Sequence, residues 1–125
     1  MAGPYQYSNA TQLDGLPMVG THQCVALVQF YAHAPQTTLW RKGSAVRGSV
    51  VEVGTAIATF VGDTYPNYGS GNHAALYLSQ DSSGIWVVDQ WAGKPGGLIS
   101  KRHIQFRGGD NANRSNDGDA YSVIK

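Results

Sequence analysis

The chain has a single cysteine, Cys24, among its 125 residues, so it cannot form an internal disulfide and its fold must stand on packing. That fits synthesis in a reducing compartment. Charge is also scarce. Charged residues make up 14% of the chain, nine Lys and Arg against eight Asp and Glu, for a formal net charge of +1. No basic stripe exists to track a phosphate backbone, so nucleic acid is not an expected partner. No apolar stretch approaches the roughly 18 to 20 residues of a membrane span. The first residues, MAGPYQYSNATQLDG, lack the basic start and apolar core of a Sec-type signal peptide, so a protein acting outside the cell would need another route. The four histidines show no paired spacing such as His-x-x-x-His, which disfavours a metal enzyme, and no cofactor is expected.

The residues that are present suit one domain spanning 1–125, a length that buries about two thirds of the unfolded-chain surface. Residues 1–19, punctuated by Gly3, Pro4, Gly15 and Pro17, are expected to form an extended arm with one short turn. Residues 22–33 are helix-like and apolar on nearly every side, so this helix is expected to be buried, with Thr21 as its N-cap and Pro35 ending it. Residues 36–50 are expected to hold a loop or short helix around Trp40. Strand signals follow in TAIATFVG, in HAALYLSQ and IWVVDQW on either side of DSSG, in LISKRHIQF and in the closing AYSVIK. Residues 107–119 are polar and are expected to form a mobile loop. One buried helix followed by antiparallel strands is an α+β arrangement with the helix on one sheet face.

Cys24 lies near the predicted helix start, where first-turn amides and the helix dipole favour a thiolate and can hold an oxyanion. The competing reading is a buried core thiol. A thiol nucleophile needs a base. Of the histidines, His73 is the best placed, opening a strand directly after the Gly-rich YGSGN. Asp89 is the candidate orienter, because a carboxylate in WVVDQW is costly to bury unpaired. A Ser82-Ser83-Gly84 hairpin loop, with Gly84 left-handed, puts His73 and Asp89 on one sheet face but pairs Asp89 with Tyr77, leaving His73 about 13 Å along the strand. A bulge, strong coiling or a turn centred on Asp81 would close that gap. Trp91 falls on the same face and is a candidate shield for the His–Asp hydrogen bond. Tyr65, Asn67, Tyr68 and Asn72 are candidate substrate contacts on one cleft wall. Arg102 and Arg107 are weaker candidates for meeting substrate carboxylates.

Cys at the start of a buried helix, His opening a strand, then Asp before a Trp resembles the papain-like cysteine peptidases, with Asp89 in the usual Asn place. The small size is similar to bacterial cell-wall amidases of the NlpC and CHAP types. QCVALVQ, GTAIATF, YPNYGSGNHAALYL and VVDQW together, over residues 20–106, resemble the second family of type VI secretion amidase effectors. The resemblance implies a small papain-like fold and a toxin that hydrolyses an amide of peptidoglycan stem peptides or cross-links, in that family the D-alanine–meso-diaminopimelate bond. It implies Cys24 as nucleophile, His73 as base then acid, and Asp89 as orienter. It further implies delivery from the producer's cytoplasm to a rival's periplasm, and a cognate immunity protein. A glutamine well upstream of the Cys, in the papain manner, is absent. Gln12 and Gln23 are the nearest, and Gln23 is taken as the supporting oxyanion residue. Two other readings stay open on the residues: an acyltransferase on the same fold, and a non-catalytic glycan- or peptide-binding module.

Overall fold

The computed structural model describes residues 4–66, 68, 71–109 and 113–125. Among these residues one α-helix, α1 (Cys24–Ala32), precedes six strands: β1 (Lys42–Ala45), β2 (Ala56–Thr59), β3 (Ala74–Gln80), β4 (Gly84–Asp89), β5 (Ser100–Gln105) and β6 (Tyr121–Ile124). The strands form one sheet in the order β1-β6-β2-β3-β4-β5, with every neighbouring pair antiparallel. This is the α+β arrangement expected from the sequence.

The central strands are buried on both faces because successive side chains alternate between two cores. Ala74, Leu76 and Leu78 of β3 join Val88 of β4 and Leu27 and Val28 of α1 on one face. Ala75, Tyr77, Ile85 and Val87 turn to the other, where Val46, Ile104 and Tyr121 cover them. The helix therefore takes only one face; on the second, side chains of β2–β6 pack with Val46, Val51 and Phe106 from the connecting segments. Trp40 is completely buried in the helix-side core, its indole N–H donating to the Pro35 carbonyl at 2.8 Å.

The β3–β4 hairpin differs from the expected register. Its turn is built on Asp81, whose Oδ1 accepts from the Ser83 and Gly84 amides at 2.9 and 3.0 Å. Gly84 is the first residue of β4 and is not left-handed. Gln80 pairs with Ile85 and Ser79 with Trp86, after which the register shifts and Tyr77 pairs with Val87 and Leu76 with Val88. The turn and the bulge at Leu78 together carry β4 two residues further along β3 than a simple loop would. Continuing this register sets Asp89 level with Ala75, one same-face step from His73.

Other expectations need correction. The helix begins at Cys24, not residue 22, because His22 has φ +71° and cannot continue a helix; Gln23, not Thr21, is the N-cap. The helix ends at Ala32, before Pro35, with His33 left-handed and its N–H on the Val28 carbonyl. Phe30 is 60% exposed, so α1 is not buried on every side. Residues 36–50 contain a 3-10 turn, Thr37–Leu39, and also the edge strand β1, whose exposed KGSA sequence gives no apolar alternation. In the polar tract 107–119, Arg114–Asn116 and Gly118–Ala120 form 3-10 turns around the buried Asp117, which accepts from the Arg107 and Gly109 amides at 2.8 and 2.7 Å. Residues 110–112 lie outside the description.

The N-terminal segment is tied to the sheet. It forms a 3-10 turn, Ala10–Leu13, with isolated bridges Gln6↔Thr55 and Pro17↔Leu98. Gly54 makes the closest approach: its φ is +88° and a Cβ there would stand 1.8 Å from the Tyr7 carbonyl oxygen. Gly54→Ala is expected to destabilise the protein by about 2–3 kcal/mol, through backbone strain and displacement of this segment. Urea denaturation would read this as a lower midpoint at unchanged slope.

Candidate active site

Cys24 is the first residue of α1, so its amide is one of the orphan donors of a helix start and its thiol sits at the positive end of the helix dipole. A side chain far along the sequence holds this start in place. Gln90, fully buried beside Asp89, accepts from the Val19 amide at 3.0 Å. It donates to the carbonyls of Val19 at 3.0 Å and Gln23 at 2.9 Å. The loop that delivers Cys24 is thereby stapled to the end of β4. Gln90 carries the same cost of burying a polar group as Asp89 before it, and that cost is the signal by which the sequence could have pointed to it.

His73 sits one residue before β3, its amide donating to Thr59 Oγ1 at 3.0 Å and its carbonyl accepting from the Thr59 amide at 3.0 Å. Its Nε2 lies 2.8 Å from Asp89 Oδ2. Asp89 is completely buried. The same Oδ2 accepts from Arg102 Nε at 2.9 Å and pairs with Arg102 Nη2 at 2.8 Å. Arg102 faces Val87 across β4–β5, while Asp89 faces Ser100, so the guanidinium reaches the carboxylate diagonally on one sheet face. The sequence did suggest Arg102 as a charged contact, but for substrate; the structure gives much of its guanidinium to Asp89.

Trp91 stands with its ring centroid 6.3 Å from that of His73, edge-on, beside the His–Asp hydrogen bond. Tyr65 was expected on the cleft wall, and it also touches the thiol: its Oη lies 3.7 Å from Cys24 Sγ, and its ring packs edge-on against Trp40 at 4.9 Å. A cleft of about 330 Å³ is lined by Cys24, His73, Trp91, Tyr65, Tyr68 and Asn72, among others. Gln23 also lines it; its carbonyl is held by Gln90. The expected contact Asn67 lies outside the described residues. Arg107 is turned away, its Nε donating to the Asn116 carbonyl at 3.0 Å.

These contacts set the ionisation of the site. Burial opposes a charged thiol, but the hydrogen bond and charge of His73 outweigh it, with further help from Tyr65 Oη and the Ala74 amide, so Cys24 ionises below its ordinary range. Burial likewise opposes a charged imidazole, but hydrogen bonds to Asp89 and then Cys24 push His73 up to about 9. Asp89 is held below the usual carboxylate range against its own burial, first by His73 and then by Arg102. Tyr65 is pushed far above the phenol range, by burial and by the adjacent thiol, so it remains a donor. Both shifts favour the charged pair, thiolate beside imidazolium, over the neutral one.

With this geometry in view, relatives sharpen the reading. A family model described as domesticated amidase effector 2 matches residues 2–124. A Salmonella typhi protein described as type VI secretion amidase effector 2 is 45% identical, the alignment covering 98% of this chain and 99% of that protein. An Ixodes scapularis protein described as domesticated amidase effector 2 is 34% identical over 94% of this chain and 82% of its own. A solved structure described as type 6 secretion amidase effector 2 superposes with a TM-score of 0.89 at 44% identity, covering 98% of this chain and 95% of the other.

Iodoacetamide is expected to modify the protein once, with a pH midpoint below the roughly 8.5 of a free thiol. In His73→Ala, where burial is no longer opposed by the imidazole, the midpoint should rise above it. Intact-mass kinetics across pH would measure both.

Proposed function

The chain belongs to the domesticated amidase effector 2 family, and on that premise we propose that it is a cysteine amidase that hydrolyses peptidoglycan, with Cys24 as nucleophile, His73 as acid and base, and Asp89 as orienter. The observation that carries this is the charge relay of position: a thiol at a helix start, one imidazole beside it, and a buried carboxylate fixing that imidazole through Nε2.

In the proposed reaction, the Cys24 thiolate enters the cleft as nucleophile and forms a bond to the scissile carbonyl carbon. The oxyanion is received by the Cys24 amide at the helix start, supported by the Gln23 side chain, which lines the same cleft. Since Nε2 is committed to Asp89, Nδ1 is the ring nitrogen left to serve the thiol and the leaving amine. The Nδ1 proton passes to the amine nitrogen, the C–N bond breaks, and the thioester remains. Water then attacks the thioester, His73 takes its proton, and the thiolate leaves. Tyr65 donates to the sulfur as its charge returns. Trp91 excludes water from the His73–Asp89 bond, which strengthens it.

The substrate is a peptide of the bacterial wall, and the bond proposed is the D-alanine–meso-diaminopimelate cross-link. The protein would act in a rival's periplasm after type VI delivery, with a cognate immunity protein shielding its producer. Tyr65, Tyr68 and Asn72 supply ring faces and polar groups suited to a sugar–peptide ligand.

Incubation with diaminopimelate-type peptidoglycan, followed by separation and mass analysis of muropeptides, tests this. Wild type should deplete cross-linked dimers, and Cys24→Ala and His73→Ala should each lose at least about 10³-fold in rate. Unchanged dimers with wild type, across pH and reductant, would refute the amidase assignment. The rate should rise with pH as the thiol ionises and fall as His73 loses its proton near 9. Asp89→Asn removes the contact that raises His73, so its alkaline limb should move to lower pH and its rate drop about 10²-fold.

A further inference from the structure

His73 borders two clefts. Besides the one that holds the thiol, a second of about 300 Å³ is lined by Asn72, His73, Trp91, Arg102, Ser115 and Asn116. Asn72, His73 and Trp91 are common to both, so the imidazole and the indole stand between them. The chemistry gives these two spaces different tasks. The acyl part of a substrate must lie against the thiolate. The departing amine must come to the imidazole that protonates it. The residue that donates the amine therefore extends past His73, away from the sulfur.

The charge of the second cleft is one-sided. No carboxylate lines it among the described residues. Asp89, nearby, is completely buried and taken up by His73 and Arg102. Arg102 has a quarter of its side chain exposed. Its Nε donates to Asp89, its Nη2 pairs with the same oxygen at 2.8 Å, and its Nη1 donates to Asn116 Oδ1 at 3.2 Å. A guanidinium has five N–H groups, so one on each Nη is left by these contacts. Arg102 lies 5.4 Å from the centre of the Trp91 ring, and Lys94, outside that lining, approaches the same ring at 4.8 Å. The indole wall lowers the local dielectric and strengthens whatever ion pair forms there.

We propose that this second cleft is the leaving-group subsite and that Arg102, steadied by Asp89 and Asn116, binds a free carboxylate on the amino acid whose amine departs. A guanidinium is a planar fork that fits a carboxylate, and the spare Nη hydrogens are the donors it has left to offer. Arg102 thus serves two carboxylates, one buried and permanent, the other brought by substrate. A substrate whose carboxylate is capped as a carboxamide offers no charge to this fork and leaves its donors poorly used. This inference rests on the amidase reading for the direction in which the substrate lies.

The test is binding to the Cys24→Ala protein, which cannot turn over, by calorimetry. Two cross-link peptides are compared, identical except that the carboxylate next to the scissile nitrogen is free in one and a carboxamide in the other. The free form should bind at least about tenfold tighter, as a charge-assisted contact requires. Asn116→Asp places a competing carboxylate on Arg102, and the preference should collapse to about twofold or less. Equal affinity for the two peptides, or no measurable binding of either, overturns the subsite. Cleavage of the same pair by wild type separates the two ideas. Cleavage of both at equal rates ends the subsite and leaves the amidase standing, whereas cleavage of neither, with preferential binding intact, ends the amidase and leaves a carboxylate site.

Discussion

A carboxylate with no solvent exposure, Asp89, meets two cations on one oxygen, and the site is organised around that cost. An isolated buried carboxylate would neutralise itself by taking up a proton. Arg102 and His73 prevent this, and in return Asp89 keeps the imidazole protonated to about pH 9. The protonated ring is what lowers the thiol in spite of burial. Each ionisation is thus a consequence of the one before it, starting from a charge that packing keeps out of water.

Three adjacent strands must cooperate for this to work. His73 precedes β3, Asp89 ends β4 and Arg102 lies in β5, all on the same sheet face by alternation. The bulge at Leu78 and the Asp81 turn set how far β4 advances along β3. The next residue, Gln90, then ties the helix start to the same strand end. His73 and Cys24 are therefore both referenced to one dipeptide, Asp89-Gln90, with the side chains of its two residues serving opposite faces. A single strand end sets the distance between the two halves of the chemistry.

This division also explains the cleft. Tyr65 is wedged between the buried Trp40 and the thiol, so one wall is anchored in the core. The wall beyond His73 is built instead from β5 and the turn Arg114–Asn116, inside a tract whose composition suggested only a mobile loop. Asp117, buried there, gathers backbone amides and gives the turn a fixed seat without an apolar core of its own.

What could be read from the order of residues was chemistry of kind: a lone thiol at a helix start, a histidine opening a strand, a carboxylate in an apolar run, and alternation that put the last two on one face. These follow from local rules, since helix caps, strand parity and the cost of a buried charge depend on near neighbours in the chain. Distance did not follow, because the bulge at Leu78 has no signature in HAALYLSQ. The helix start moved because His22 takes a left-handed φ of +71°, which the apolar run after it does not announce. Arg102 and Gln90 acquired their roles only in three dimensions. Each acts on a partner between 13 and 71 positions away, and a hydrogen bond across such a separation is decided by how strands pair and loops return.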